Sequence, residues 1–381
     1  MPVGGVTWDY IQYPLGFSIL GHDVYYIEDT RLYPIYQKHG SNWDDCSASV
    51  EHLQKVMDHF GLKDRWAYRD EASGKCFGMT EQKLKEICAA TDVFINISCS
   101  TFLRDEYLQI PARVLIDTDP MFTQIQYLSQ QMFTPGKSGL REMVDSHNYH
   151  FTFAENINQP GCRIPDCGFN WIPTRQPVCL DYWKPVNEFD VSQSSFTTLM
   201  NWSAAKILKY DGEEWGQKDI EFQKFFKIPS LVKSATFSAV INKTGGTEQI
   251  FTKEKIEKAG WEILDPYTSS GDWKSYREFI DHSLGEFSVA KNTYVKAKTG
   301  WFSCRSACYL AMGKPVVTQD TGWSKTISSG RGLFAFDDIS TAAGALEKII
   351  TDYKQQSLFA RETANEYFNS DNVLTNILSQ L

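Results

Sequence analysis

The feature that most limits the fold is an alternation of short apolar runs with helical stretches, broken once near the middle. Before the break, 24-VYYI-27, 93-VFINIS-98, 113-RVLID-117 and 150-HFTFA-154 read as strands. The spacing of Trp8, Ile11, Leu15 and Ile19 predicts a helix over 8–20, kinked at Pro14 and ended by Gly21. A second helix is predicted over 81–90. Beyond the break come 196-FTTLMNW-202, 236-TFSAVI-241, 261-WEILDP-266, 293-TYVKA-297, 315-PVVT-318 and 333-LFAF-336, then a helical pattern over 341–356. Strands and helices in this order imply parallel sheets with helices on both faces. The break is 173-PTRQPVCLDYWKP-185, with three prolines in thirteen residues and no periodicity.

The expected architecture is α/β, with two doubly wound, Rossmann-like domains facing a central cleft. The first spans 1–175, a linker 176–190 and the second 191–360, while a C-terminal helix in 361–381 packs back on the first domain. One stretch sits awkwardly: a strand normally precedes the first Gly-rich turn, yet 4-GGVTW-8 stands almost at Met1. Either the first domain lacks its first strand or the chain starts inside its natural reading frame. The second is expected, because losing a central strand strands backbone donors on its neighbours.

Composition removes several function classes. With 42% hydrophobic and 14% aromatic residues the chain can build real cores. A formal charge of −9 argues against a broad face for nucleic acid. The nine cysteines form no C-x-x-C and have no zinc spacing, so free thiols in a reducing compartment are expected. No apolar run approaches the roughly 20 residues of a membrane span, and a soluble, cytoplasmic protein is expected.

In open α/β sheets ligands bind at the carboxyl ends of strands. In 298-KTGWFSCRSACYLAMGKPVVTQDTGW-323 a turn at Gly300 leads to a helix from about Ser303 to Met312. Helix N-termini favour anions, and glycine allows close backbone approach. Gly313 ends the helix, and Gln319, Asp320, Thr321 and Gly322 follow the next buried strand. Diphosphate at the helix start and hydroxyls near Asp320 describe a nucleotide sugar.

This stretch resembles the donor-binding half of GT-B glycosyltransferases. Its 300-GWFS-303 is similar to the G-W-N-S turn of the nucleoside-diphosphosugar-dependent family 1 enzymes, and 310-LAMGKPVVTQDTG-322 to their A-x-G-x-P-V-V segment and sugar-contacting loop. The sequence departs from the pattern at Phe302, where Asn is usual, and at Ser306, where a ribose-binding Glu is common. The resemblance implies that the N-terminal domain binds the acceptor and the C-terminal domain a nucleoside-diphosphate sugar, UDP-type first. No metal and no separate cofactor are expected.

By the same resemblance Gly300, Ser303, Arg305 and Ser306 lie around the diphosphate and ribose, and Gln319, Asp320, Thr321 and Gly322 around the sugar. Arg305 reads either as a phosphate ligand or as a solvated helix residue. In 210-YDGEEWGQKDIEF-222 the triplet Gly216, Gln217 and Lys218 follows the first strand of the second domain, where such enzymes place a cation. Lys218 would steady the leaving nucleotide's charge; otherwise it is a surface lysine at a helix start. Glu286 and Asp265 are lesser cleft candidates.

An inverting transferase needs a base near the acceptor hydroxyl. The region after the first Gly-rich turn holds no histidine, leaving Asp9, which also reads as a helix N-terminal residue. Asp119, paired with Asp117 in 117-DTDP-120, is the second candidate, though an Asp-x-Asp-Pro turn is often structural. A retaining enzyme needs no such base. Two other readings share the architecture: a non-hydrolysing nucleotide-sugar epimerase, and a nucleotide-sugar-binding protein without turnover. The expected partners are the donor and a small-molecule or glycan acceptor; nucleic acid is disfavoured.

Overall fold

The computed structural model describes residues 3–32, 42–129, 139–185, 194–204, 207–242 and 253–381. The N-terminal strands are β1 (Tyr26–Glu28), β2 (Trp66–Arg69), β3 (Cys76–Gly78), β4 (Val93–Ile97), β5 (Ala112–Asp117), β6 (Tyr149–Thr152) and β7 (Trp171–Pro173). The C-terminal strands are β8 (Ser195–Asn201), β9 (Leu208–Tyr210), β10 (Glu213–Trp215), β11 (Thr236–Asn242), β12 (Trp261–Leu264), β13 (Gly285–Ser288), β14 (Val316–Gln319) and β15 (Leu333–Phe336).

In the C-terminal half six strands form one parallel sheet, ordered β12-β11-β8-β13-β14-β15. The first strand in sequence, β8, lies between β11 and β13, the doubly wound arrangement. The N-terminal half is divided. Strands β4-β5-β6-β7 form a parallel sheet, while β1-β2-β3 form a separate one in which β1 and β2 run parallel. Strands β9 and β10 make an antiparallel hairpin.

Helix α1 (Gly4–Ile19) joins the halves. A Cβ on Gly4 would lie 2.2 Å from the Asp272 carbonyl oxygen, and one on Gly16 would lie 2.4 Å from the Leu374 side chain, so both glycines permit close packing. Trp8 donates its indole N–H to the Trp273 carbonyl at 2.8 Å. Gln12, fully buried, accepts from the Cys179 amide and the Trp183 indole, which ties the proline-rich segment to this helix. On the other side, Tyr13 and Phe17 pack with Val373, Leu374 and Ile377 of the last helix, Ser370–Leu378. The main apolar core draws on both halves, from Trp8 and Trp183 to Leu199 and Tyr309.

Three sequence expectations are corrected. Residues 293–297 are not a strand but most of a helix, Asn292–Ala297. Its buried residues Thr293, Tyr294 and Ala297 have helical spacing, and the strand before the Gly-rich turn is β13. The pattern over 341–356 is two helices, Ile339–Thr351 and Tyr353–Phe368, meeting at Asp352. Helix α1 begins at Gly4 rather than Trp8. Among the described residues no helix is long and apolar enough to cross a membrane.

Candidate active site

The carboxyl ends of β8 and β13 open toward the N-terminal half, and three cations gather there. Lys218 begins the helix Lys218–Phe225 and is 9% exposed. Burial pushes its ammonium well below the usual lysine range, the nearby Arg305 charge adds to this, the Glu286 carboxylate opposes it, and Lys291 adds to it to a smaller extent. No described residue forms an ion pair or hydrogen bond with it. Burial and the neighbouring cations disfavour its charged form, with Glu286 only partly offsetting them, so this position favours a negatively charged ligand.

Arg305 stands on the first turn of the helix Cys304–Ala311, which Ser303 precedes. It is not a solvated helix residue. Its Nε donates to Glu286 at 2.6 Å and its Nη2 to the Ser288 hydroxyl at 2.9 Å, both in β13. Glu286 is fully buried, and its second carboxylate oxygen accepts nothing from a described residue. The Arg305 Nη1 likewise makes no hydrogen bond with a described residue. Glu286 is therefore the strand residue that aims Arg305.

Lys291 follows β13 and crosses to the other half, meeting Asp119 at 2.5 Å; the Tyr294 hydroxyl donates to the same oxygen at 2.5 Å. Burial pulls the Asp119 carboxyl upward, but the Lys291 charge and these hydrogen bonds outweigh it and hold the carboxyl below its ordinary value. Asp119 is thus kept ionised and weakly basic. Asp117 is buried and accepts from Thr123, Gln124 and Thr152. Burial pushes its carboxyl up to about 6, and its role is to fix the turn.

Asp9 on α1 faces the same region, within electrostatic reach of Arg305 and Asp119. Burial pushes its carboxyl up to about 7; Arg305 pulls it down and Asp119 pushes it further up. Its carboxylate accepts no hydrogen bond from a described residue. A carboxyl that titrates near neutrality beside a cationic pocket has the properties of a general base.

The remaining predicted residues serve the frame around this pocket. The room that Gly300 and Gly322 leave is taken by Asn156, which a Cβ would meet at 2.8 Å and 2.5 Å respectively. Asn156 donates its side-chain amide to the carbonyls of Lys298 and Gly322, and its backbone amide to Thr299. It clamps the two halves at the Gly-rich turn. Thr321 is buried and donates to the Trp301 carbonyl. Asp320 accepts from Gly322 and Ser324, shaping the loop. Gln319 is buried and spans from the Ala290 amide to Glu221.

Gly216 and Gln217 present their carbonyls to the amides of Thr293 and Asn292, and Gln217 immediately precedes the Lys218 helix. Ser306 is fully buried with an unpartnered hydroxyl, closed to a ribose. Asp265 caps a helix through the Tyr267 amide. Lys291 and Tyr294 were missed: with the strand placed at 293–297 rather than β13, the residues after its true carboxyl end went unread. Among the described residues no group of three or more His, Cys, Asp or Glu could hold a metal ion.

No family pattern matches the sequence, and no curated protein does. Solved structures resemble the chain in shape. Anabaena Alr3699/HepE in complex with UDP is 11% identical, with 94% of this chain and 100% of that chain covered at a TM-score of 0.48. An alpha-glucosyltransferase in complex with UDP and a 13-mer DNA containing a HMU base is 12% identical, covering 78% and 82% at 0.48. TarM is 9% identical at 0.47 over 81% of this chain, which spans 60% of TarM's length.

Proposed function

We propose that the chain is a glycosyltransferase that moves a sugar from a nucleoside-diphosphate sugar to an acceptor hydroxyl without a metal ion. The observation that carries the reading is Lys218: a buried lysine with no hydrogen bond or ion pair among the described residues, beside Arg305, at the carboxyl ends of parallel strands. The resemblance of 298–323 to donor-binding segments makes UDP the first nucleotide to test.

The acceptor oxygen attacks the anomeric carbon as the bond to the diphosphate oxygen breaks. The diphosphate leaves with the electron pair, and Lys218 and Arg305 stabilise the charge that develops on it. In an inverting reaction Asp9 takes the acceptor proton; in a retaining one the leaving phosphate takes it. Asp119, held ionised by Lys291, is the weaker candidate for the base.

Release of UDP from UDP-glucose, UDP-N-acetylglucosamine and UDP-galactose, followed with EDTA present and with an acceptor library, tests this. Acceptor-dependent release supports transfer. Sugar interconversion without acceptor points to the epimerase, and binding without release points to a non-catalytic protein.

A further inference from the structure

Between the two N-terminal sheets lies a cavity of about 770 Å³, lined by β1, β4, α1 and the helix α2 (Ser47–His59). We propose that this slot is a strand-binding site: it takes one extended, apolar segment of about five residues that runs parallel to β1 and β4 and joins the N-terminus of α1.

The other half of the same chain supplies the template. There β8 sits centrally, paired in parallel with β11 on one side and β13 on the other. By chain order β1 and β2 correspond to β11 and β12, and β4, β5 and β6 to β13, β14 and β15. The slot falls where β8 would lie. Strands β1 and β4 each end their own sheet, with no strand of the described chain on the facing edge. Strand β1 is only half-buried throughout and β4 is so at four of its five positions, whereas β13 is buried at every one. Helix-covered parallel strands are normally buried on both faces.

Size and chemistry agree. One sheet residue fills roughly 3.3 × 4.8 × 10 Å, so five fill about 790 Å³. The walls are mostly apolar, including Val6, Ile11, Ile27, Val56 and Ile95, as a strand buried on both faces requires. A small apolar ligand would leave the backbone groups of both edges unpaired, and a strand would pair them. Tyr13, which lines the slot, has a buried hydroxyl with no described partner. Val3, at the start of α1, is already extended at φ −134° and ψ 129°.

The test compares the chain as it stands with one carrying an eight-residue Val/Ile-rich extension at its N-terminus. A third version places prolines in that extension, and the free peptide is added to the original chain as a fourth sample. Hydrogen exchange is read at 26–28 and 93–97, together with the melting temperature. The strand extension should slow exchange at both edges at least about tenfold and raise the melting temperature. The proline version should do neither, and the free peptide should act in the same direction but more weakly. Unchanged exchange at both edges with the extension and with the peptide would overturn the proposal. So would protection by an apolar probe such as ANS but not by either strand.

Discussion

Lys291 and Asp119 meet at 2.5 Å across the cleft, one from the strand end of β13 and the other from the turn after β5. With Tyr294 on the same carboxylate oxygen, the pair fixes how the two halves present their residues. Lys291→Met should therefore leave the Asp119 carboxylate without its cation, held by the Tyr294 and Thr118 hydroxyls. Asp119 would move up toward its ordinary range. The variant should lose activity mainly through a raised KM, as positioning is relaxed, with a melting temperature within a few degrees of the parent. Asp119→Asn should give a similar loss and an unchanged pH profile.

Asp9 predicts a different pH signature. A base works as the carboxylate, so kcat/KM should rise with pH through about 7 and level off above it. Asp9→Asn should remove that limb and lower kcat by roughly 10²–10⁴-fold. The linkage sign is fixed by the same shift. A carboxyl raised on folding costs nothing at pH values below its unfolded value, and its penalty is complete above about 7. Asp9→Asn should accordingly melt higher than the parent at pH 8 and no higher at pH 3.5. A variant that keeps both the pH limb and the rate would assign the proton to the leaving phosphate.

Gly322 and Asn156 make a structural prediction. At φ +94° and with the Asn156 amide 2.5 Å from where a Cβ would stand, Gly322→Ala should cost about 1–3 kcal/mol. Asn156→Ala made in the same chain should recover part of that loss, because it removes the clash but not the backbone strain. Chemical denaturation of the two single variants and the double variant measures the coupling.

Much of this architecture was legible because buried parallel strands such as Phe196–Met200 and Phe237–Ile241 are apolar runs bounded by turn residues. The stretch 293–297 was misread because Thr293 and Val295 favour strands locally, while the buried set Thr293, Tyr294 and Ala297 needs tertiary contact to be recognised. That error displaced the strand end and hid Lys291. Lys218 and Arg305 were legible as candidates from their places after a strand and on a helix start. Asn156 as a clamp was out of reach, since only the fold brings it against Gly300 and Gly322.

The central claim is an anion site built around Lys218, and calorimetric titration of UDP, GDP, dTDP, ADP and CMP into the parent chain and into Lys218→Met tests it most directly. The parent should bind one nucleoside diphosphate equally well with EDTA and with Mg²⁺. Lys218→Met should bind it at least about tenfold more weakly, as loss of a charge-assisted contact requires, and should melt no lower than the parent without ligand because the cost of burying the amine is removed. Equal binding by both chains, or no binding of any nucleotide by the parent, would contradict the account.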